Sequence, residues 1–126
     1  MRKIITNTFV TLDGVMQAPG GPQEDLTGNF ELGGWSVNYW DDVMVQTMGE
    51  ASKTPYDLLL GRKTYEIFAA HWPFIENDPT ADKFNKATKY VATRTVKSAT
   101  WENTELLKGD VVEKLRKLKS QDGSEL

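Results

Sequence analysis

Gly61-Arg62-Lys63-Thr64 is the set of side chains with the clearest chemical promise. A short apolar run, Leu58–Leu60, ends at Gly61, and an amphipathic pattern begins straight after the polar residues. Two cations then stand at a helix start, where the helix dipole disfavours them. An anion held by the free backbone N–H groups there would justify them. Glycine allows close backbone approach, Thr64 brings a hydroxyl, and Arg62 offers a planar fork for oxyanions. The competing reading is a tight turn followed by a solvated helix start. The segment is not a P-loop, because the upstream glycine and the Gly-Lys-Thr order are absent.

Thr93-Arg94 follows a second apolar run and has the character of a strand-end arginine that takes a terminal phosphate. A solvated arginine after an edge strand is the plainer alternative. Asp13-Gly14 could aim a carboxylate or backbone groups at a ligand, or could be turn chemistry and nothing more. Trp35, Trp40, Asp41 and Asp42 gather before a helix. One carboxylate against aromatic rings could carry protons, while helix capping accounts for at least one of the two acids. His71 is the single histidine and there is no cysteine. Catalytic triads, thiolate chemistry, disulfides and multi-His or Cys metal sites are therefore unsupported, and His71 reads as structural.

These residues need a frame. The 126 residues suggest one domain, 1–126, able to bury a real core. A net charge of -3 does not suggest nucleic-acid or membrane-surface binding. No apolar run approaches the ~20 residues of a spanning helix, and no signal-peptide pattern opens the chain. A protein of a reducing compartment, the cytoplasm, is expected.

Lys3–Leu12 is β-branched and reads as a buried first strand. Asp13–Gly34 is a long Gly- and Pro-rich connection, a length usually tied to function. Asn38–Lys53 has helical periodicity with Asn38 as N-cap, and Pro55 stops it. Leu58–Leu60 is the second strand and Lys63–His71 the second helix, with Tyr65, Phe68, Ala69 and Trp72 facing inward. A short helix over Thr80–Lys86, a third strand over Lys89–Thr93, a fourth over Thr100–Leu106 and a helix over Asp110–Ser120 follow. Such alternation predicts an α/β fold, a mostly parallel sheet with helices on both faces. Ligands bind such sheets beyond the carboxyl ends of strands. Gly61–Thr64, Thr93–Thr95 and Asp13-Gly14 are all expected on that rim.

The ordered set of motifs resembles the dihydrofolate reductase-like fold. It is closer still to the bacterial family that shares this fold with the reductase domain of riboflavin biosynthesis. The matching pieces are Thr11-Leu12-Asp13-Gly14-Val15, Gly33-Gly34-Trp35, Leu58-Leu59-Leu60-Gly61-Arg62-Lys63-Thr64-Tyr65-Glu66 and Tyr90-Val91-Ala92-Thr93-Arg94. The resemblance covers essentially the whole chain. The resemblance implies a three-layer fold and NADPH as cofactor. Gly61, Arg62, Lys63, Thr64, Thr93 and Arg94 would lie around the pyrophosphate and the 2′-phosphate. The Asp13–Gly34 loop would be a lid, and Asp41 or Asp42 would lie near the position of the catalytic acid; Asp41 and, from its own turn, Asp13 are the catalytic candidates, with Trp35 as contact to a pterin- or pyrimidine-like substrate. It also implies further strands and a helix, beginning with a central strand near Asp122–Leu126, so the C-terminal strands of the fold are expected to be missing. Open sheet edges would then favour a homo-oligomer. The alternative function is a binding or interaction module that keeps the fold without a complete cofactor site.

Overall fold

A strand exists only where a neighbour completes its ladder, and that rule shapes this chain. The computed structural model describes residues 1–126. Three strands form one parallel sheet in the order β1-β2-β3: β1 Leu58–Gly61, β2 Lys89–Ala92 and β3 Thr104–Leu107. Leu60 pairs with Val91, and Val91 with Leu106. Four helices accompany them: α1 Asp42–Ala51, α2 Arg62–Ala69, α3 Pro79–Lys86 and α4 Val111–Ser120. The chain divides into two compact units, Met1–Ile5 with Pro55–Leu126, and Thr6–Thr54.

The first unit holds the sheet. Leu60, Tyr65, Val91 and Trp101 form its buried core, with Leu58, Phe68, Trp72, Phe84 and Leu106 packed around them. Helix α2 starts directly from Gly61, the last residue of β1, and turns Tyr65 into the core. The Tyr65 hydroxyl oxygen accepts the amides of Thr100 at 3.0 Å and Trp101 at 3.2 Å. Those amides are thereby withdrawn from any ladder. This is why β3 begins at Thr104 rather than at Thr100, where the sequence placed it. Burial pushes the Tyr65 phenol up, but the hydrogen bonds from Thr100 and Trp101 outweigh it and leave it below its usual value.

Two buried cations went unforeseen. Lys89 is fully enclosed, and its Nζ donates to the carbonyls of Phe84 (3.0 Å) and Asn85 (2.9 Å) while lying 4.4 Å from the centre of the Trp101 ring. The ammonium thus caps the carbonyl end of α3 from within the sheet. Burial pushes its pKa down, opposed by the charge of Glu102 and by Tyr65.

Arg2 is the other. Its guanidinium pairs with Asp57, donates to the Ser124 carbonyl and sits 5.5 Å from the Tyr90 ring centre. Asp57 in turn accepts the Thr88 amide at 3.1 Å. A Cβ at position 123 would stand 3.3 Å from Arg2 Nε, so glycine there makes room for the side chain. Around this cluster the chain's last residues enter the sheet region. The Leu126 amide donates to Lys3 (2.9 Å), the Ile5 amide to Leu126 (2.8 Å) and the Asp57 amide to Glu125 (2.7 Å). Glu125 bridges Tyr56 in parallel.

The expected strand over Lys3–Leu12 does not form. Only Lys3 and Ile5 find ladder partners, both at Leu126, and no backbone neighbour follows them. Residue type favoured a strand, and the missing partner decided otherwise.

The second unit is the long loop followed by α1. Helix α1 begins at Asp42, not Asn38, because Asp41 is the residue that caps it, accepting the Met44 amide at 2.8 Å. Val37–Tyr39 forms a single tight 3-10 turn instead. The loop is knitted by its own polar groups. Trp35 Nε1 donates to Gln17 (2.9 Å), Ser36 Oγ to Pro19 (2.7 Å), and Gln17 Nε2 to Asp25 and Thr27. A Cβ at Gly33 would fall 2.7 Å from the Gly21 carbonyl oxygen, so this crossing of the loop on itself requires glycine.

Arg2→Ala leaves the Asp57 carboxylate largely enclosed without its cation. A loss of about 3 kcal/mol in urea unfolding is expected, and a change below ~1 kcal/mol would refute the hub role. For Lys89, the folded pKa lies below the unfolded one. Between those two values the unfolded chain holds more protons, so the contribution of Lys89 to stability rises with pH. Relative to Lys89→Met, the wild type should gain stability as the pH rises toward the ordinary lysine value. A pH-independent difference between the two proteins would contradict the buried-ammonium description.

Candidate functional site

Because β1, β2 and β3 run parallel and in register, Gly61, Ala92 and Leu107 end side by side. The residues that follow each strand therefore come to one rim. Arg62 leaves β1, Thr93, Arg94 and Thr95 leave β2, and Val111 opens α4 after β3. With Ala92 they line an open cleft of about 390 Å³. Two of the three polar turns expected on the rim, Gly61–Thr64 and Thr93-Arg94, are brought together. Asp13-Gly14 follows no strand, so its expected place at a strand end does not hold.

The roles within the cleft differ from residue to residue. Thr93 is 5% exposed, and its Oγ1 accepts the amides of Thr95 (3.2 Å) and Val96 (3.1 Å). It folds the turn that carries Arg94 rather than offering its hydroxyl outward. Arg94 is exposed and forms neither an ion pair nor a side-chain hydrogen bond, so its whole fork is available. Thr95, the last residue of the Thr93–Thr95 turn expected on the rim, also lines the cleft.

Arg62 lines the same cleft and pairs with Glu66 one helical turn along, Nη1 to Oε2 at 2.6 Å. Lys63 and Thr64 are exposed in the first turn of α2. The α2 N-terminus has no side-chain cap, because Gly61 occupies the cap position. A Cβ added at Gly61 would meet no atom within 4 Å. The protein's own packing does not demand glycine there, and the open space lies where a ligand would approach the backbone. Two guanidinium groups, a threonine side chain and an uncapped helix start form a donor set suited to phosphate oxygens. The residues present thus fit a phosphate-bearing cofactor.

Asp13, Trp35 and Asp41 belong to the other compact unit. Asp13 accepts the hydroxyl of Thr11 in a tight turn closed by Thr11 N–H to Val15 at 3.0 Å, with Gly14 at φ +89°. Asp41 caps α1, and Trp35 anchors the long loop. Each has a local structural task.

Neither Trp35 nor Trp40 is a core residue, while Trp101 is. His71 is exposed, with its ring 5.0 Å from that of Trp72. No group of three or more His, Asp or Glu side chains comes together as a metal site. No helix is long and apolar enough to cross a membrane.

Comparison with curated proteins finds no match. The family-level comparison does find one, and it runs through the strand-end turns, the long loop and the entering C-terminal residues alike. A model of the RibD C-terminal domain matches residues 2–126, and the chain belongs to that family.

Proposed function

We propose that this protein is an NADPH-dependent reductase that acts on a small pterin- or pyrimidine-like heterocycle. The family reduces a pyrimidine intermediate of riboflavin biosynthesis, and its dihydrofolate reductase-like fold places helices on both faces of the sheet. The observation that carries the reading for this chain is the pairing of Arg62 and Arg94 in one cleft at the carboxyl rim, with Gly61 and the uncapped α2 N-terminus beside them. Arg94, with its unengaged fork, takes the most highly charged phosphate, and Thr95 adds a hydroxyl. Thr93 holds the turn in shape. Lys63 and Thr64 contribute charge and a hydroxyl at the helix start. When bound, the cofactor supplies the hydride, and the protein supplies orientation and electrostatics. Asp41 as proton carrier rests on the family resemblance, Asp13 on its strand-end turn in the sequence, and Trp35 as substrate contact on the matching Gly33-Gly34-Trp35 motif.

Titration of NADPH and NADH, followed by quenching of the four tryptophans, tests the cofactor assignment. Saturable binding with preference for NADPH is expected, and Arg94→Ala should weaken NADPH by roughly tenfold, as befits loss of a charge-assisted pair. No binding of either nucleotide would defeat the reading and favour a non-catalytic interaction module.

The protein is further assigned as a homo-oligomer that joins through sheet edges. Beyond Asp57 the outer edge of β1 has no backbone neighbour, and Ile5 beside the entering C-terminal residues is 59% exposed. Open edges of this kind pair with another chain. Light scattering should report a species larger than the 14.2 kDa protomer. A stable monomer at micromolar concentration would sink this assignment.

A further inference from the structure

We infer that Glu66 sets the anion affinity of the cleft by holding Arg62 in reserve, an inference that rests on the phosphate-binding reading above. Arg62 is the first residue of α2 and lines the cleft, yet its Nη1 is engaged by Glu66 Oε2 at 2.6 Å. Glu66 itself is not among the cleft residues. The ion pair therefore directs the guanidinium along the helix, away from full commitment to the rim.

The pair is poised to be given up. Both side chains are well exposed, at 42% and 49%, so water screens their attraction. The order is also the weaker one, since a cation preceding an anion by four residues runs against the helix dipole. Arg94, by contrast, has no competing carboxylate and can engage an anion at once. The two arginines thus differ in kind. Arg94 is the standing anion ligand, and Arg62 joins only when the incoming charge outbids Glu66. A doubly charged phosphate competes with Glu66 for Arg62 more strongly than a singly charged or neutral group does. Glu66 is accordingly a specificity-determining residue that raises the charge threshold of the cleft without touching the ligand.

The test is a double-mutant cycle on the full chain with wild type, Glu66→Gln, Arg62→Gln and the double variant. Calorimetry follows inorganic pyrophosphate and NADPH in parallel, and thermal unfolding checks that folding is unchanged. Glu66→Ala serves as a second variant. Glu66→Gln should tighten pyrophosphate by roughly threefold, the size of an exposed ion pair. The gain should vanish in the Arg62→Gln background. Equal affinities for wild type and Glu66→Gln overturn the inference. So does a gain that persists without Arg62, which would mark simple removal of a repelling charge, and so does failure of pyrophosphate to bind any of the four proteins. A Glu66-dependent response to pyrophosphate with no NADPH binding would uphold the inference and defeat the cofactor assignment instead.

Discussion

The Arg2 guanidinium is the constraint on which the sheet unit rests. It is buried where the start of the chain, the approach to β1 and the last residues of the chain meet, and it is neutralised there by Asp57. Asp57 passes the restraint on to the Thr88 amide, next to β2. One cation thus fixes how β1 enters the sheet, where β2 begins and where Ser124–Leu126 can lie. A buried charge of this kind contributes little net stability as a pair, but its partners cannot be removed singly without large loss. The cluster therefore imposes a particular arrangement rather than merely favouring compactness.

From that fixed entry the carboxyl rim follows. Parallel pairing in register brings Gly61, Ala92 and Leu107 level, and each strand hands its chain to a polar turn. The sheet converts residues distant in sequence into neighbours around one cleft. Two buried side chains keep the layers aligned beneath it. Tyr65 clamps the β2–β3 crossover through two amides, and Lys89 ties the carbonyl end of α3 to β2. Cations at a helix start are unfavourable in isolation. Here Arg62 is compensated by Glu66 along the helix and by the opening of the cleft in front of it.

Much of this was legible in advance. The apolar run Leu58–Leu60 with its glycine stop gave β1 and the start of α2 almost to the residue, because glycine ends the ladder and leaves the helix uncapped. Asp110 and the spacing of Val111, Leu115 and Leu118 marked α4, whose N-cap accepts the Glu113 amide at 2.9 Å. The joint placement of Arg62 and Arg94 could be anticipated from strand alternation alone. Other features were not. Lys89 looked like the polar start of a strand, and only the arrival of α3 and Trp101 around it makes a buried lysine tolerable. Arg2 gave no signal because its partners lie 55 and 122 positions away. The turn-forming contacts of Thr93 Oγ1 were not foreseen either, since nothing local reveals which way a hydroxyl after a strand will turn.

The sequence by itself determined the local elements: the helices, with periods and caps written into neighbouring residues, and the strand-end turns that carry arginine. Those depend on forces acting over a few positions. Only the tertiary structure decided which β-prone segment became a strand. Leu58–Gly61, with no β-branched residue, has a continuous neighbour in β2, whereas Lys3–Leu12, rich in them, meets a ladder partner only at Leu126. It also decided that Arg62 and Arg94 line one cleft and that Asp41, rather than Asn38, caps α1. Ladder pairing and charge compensation are long-range conditions. They are met or refused by residues far along the chain, and no local pattern records the outcome.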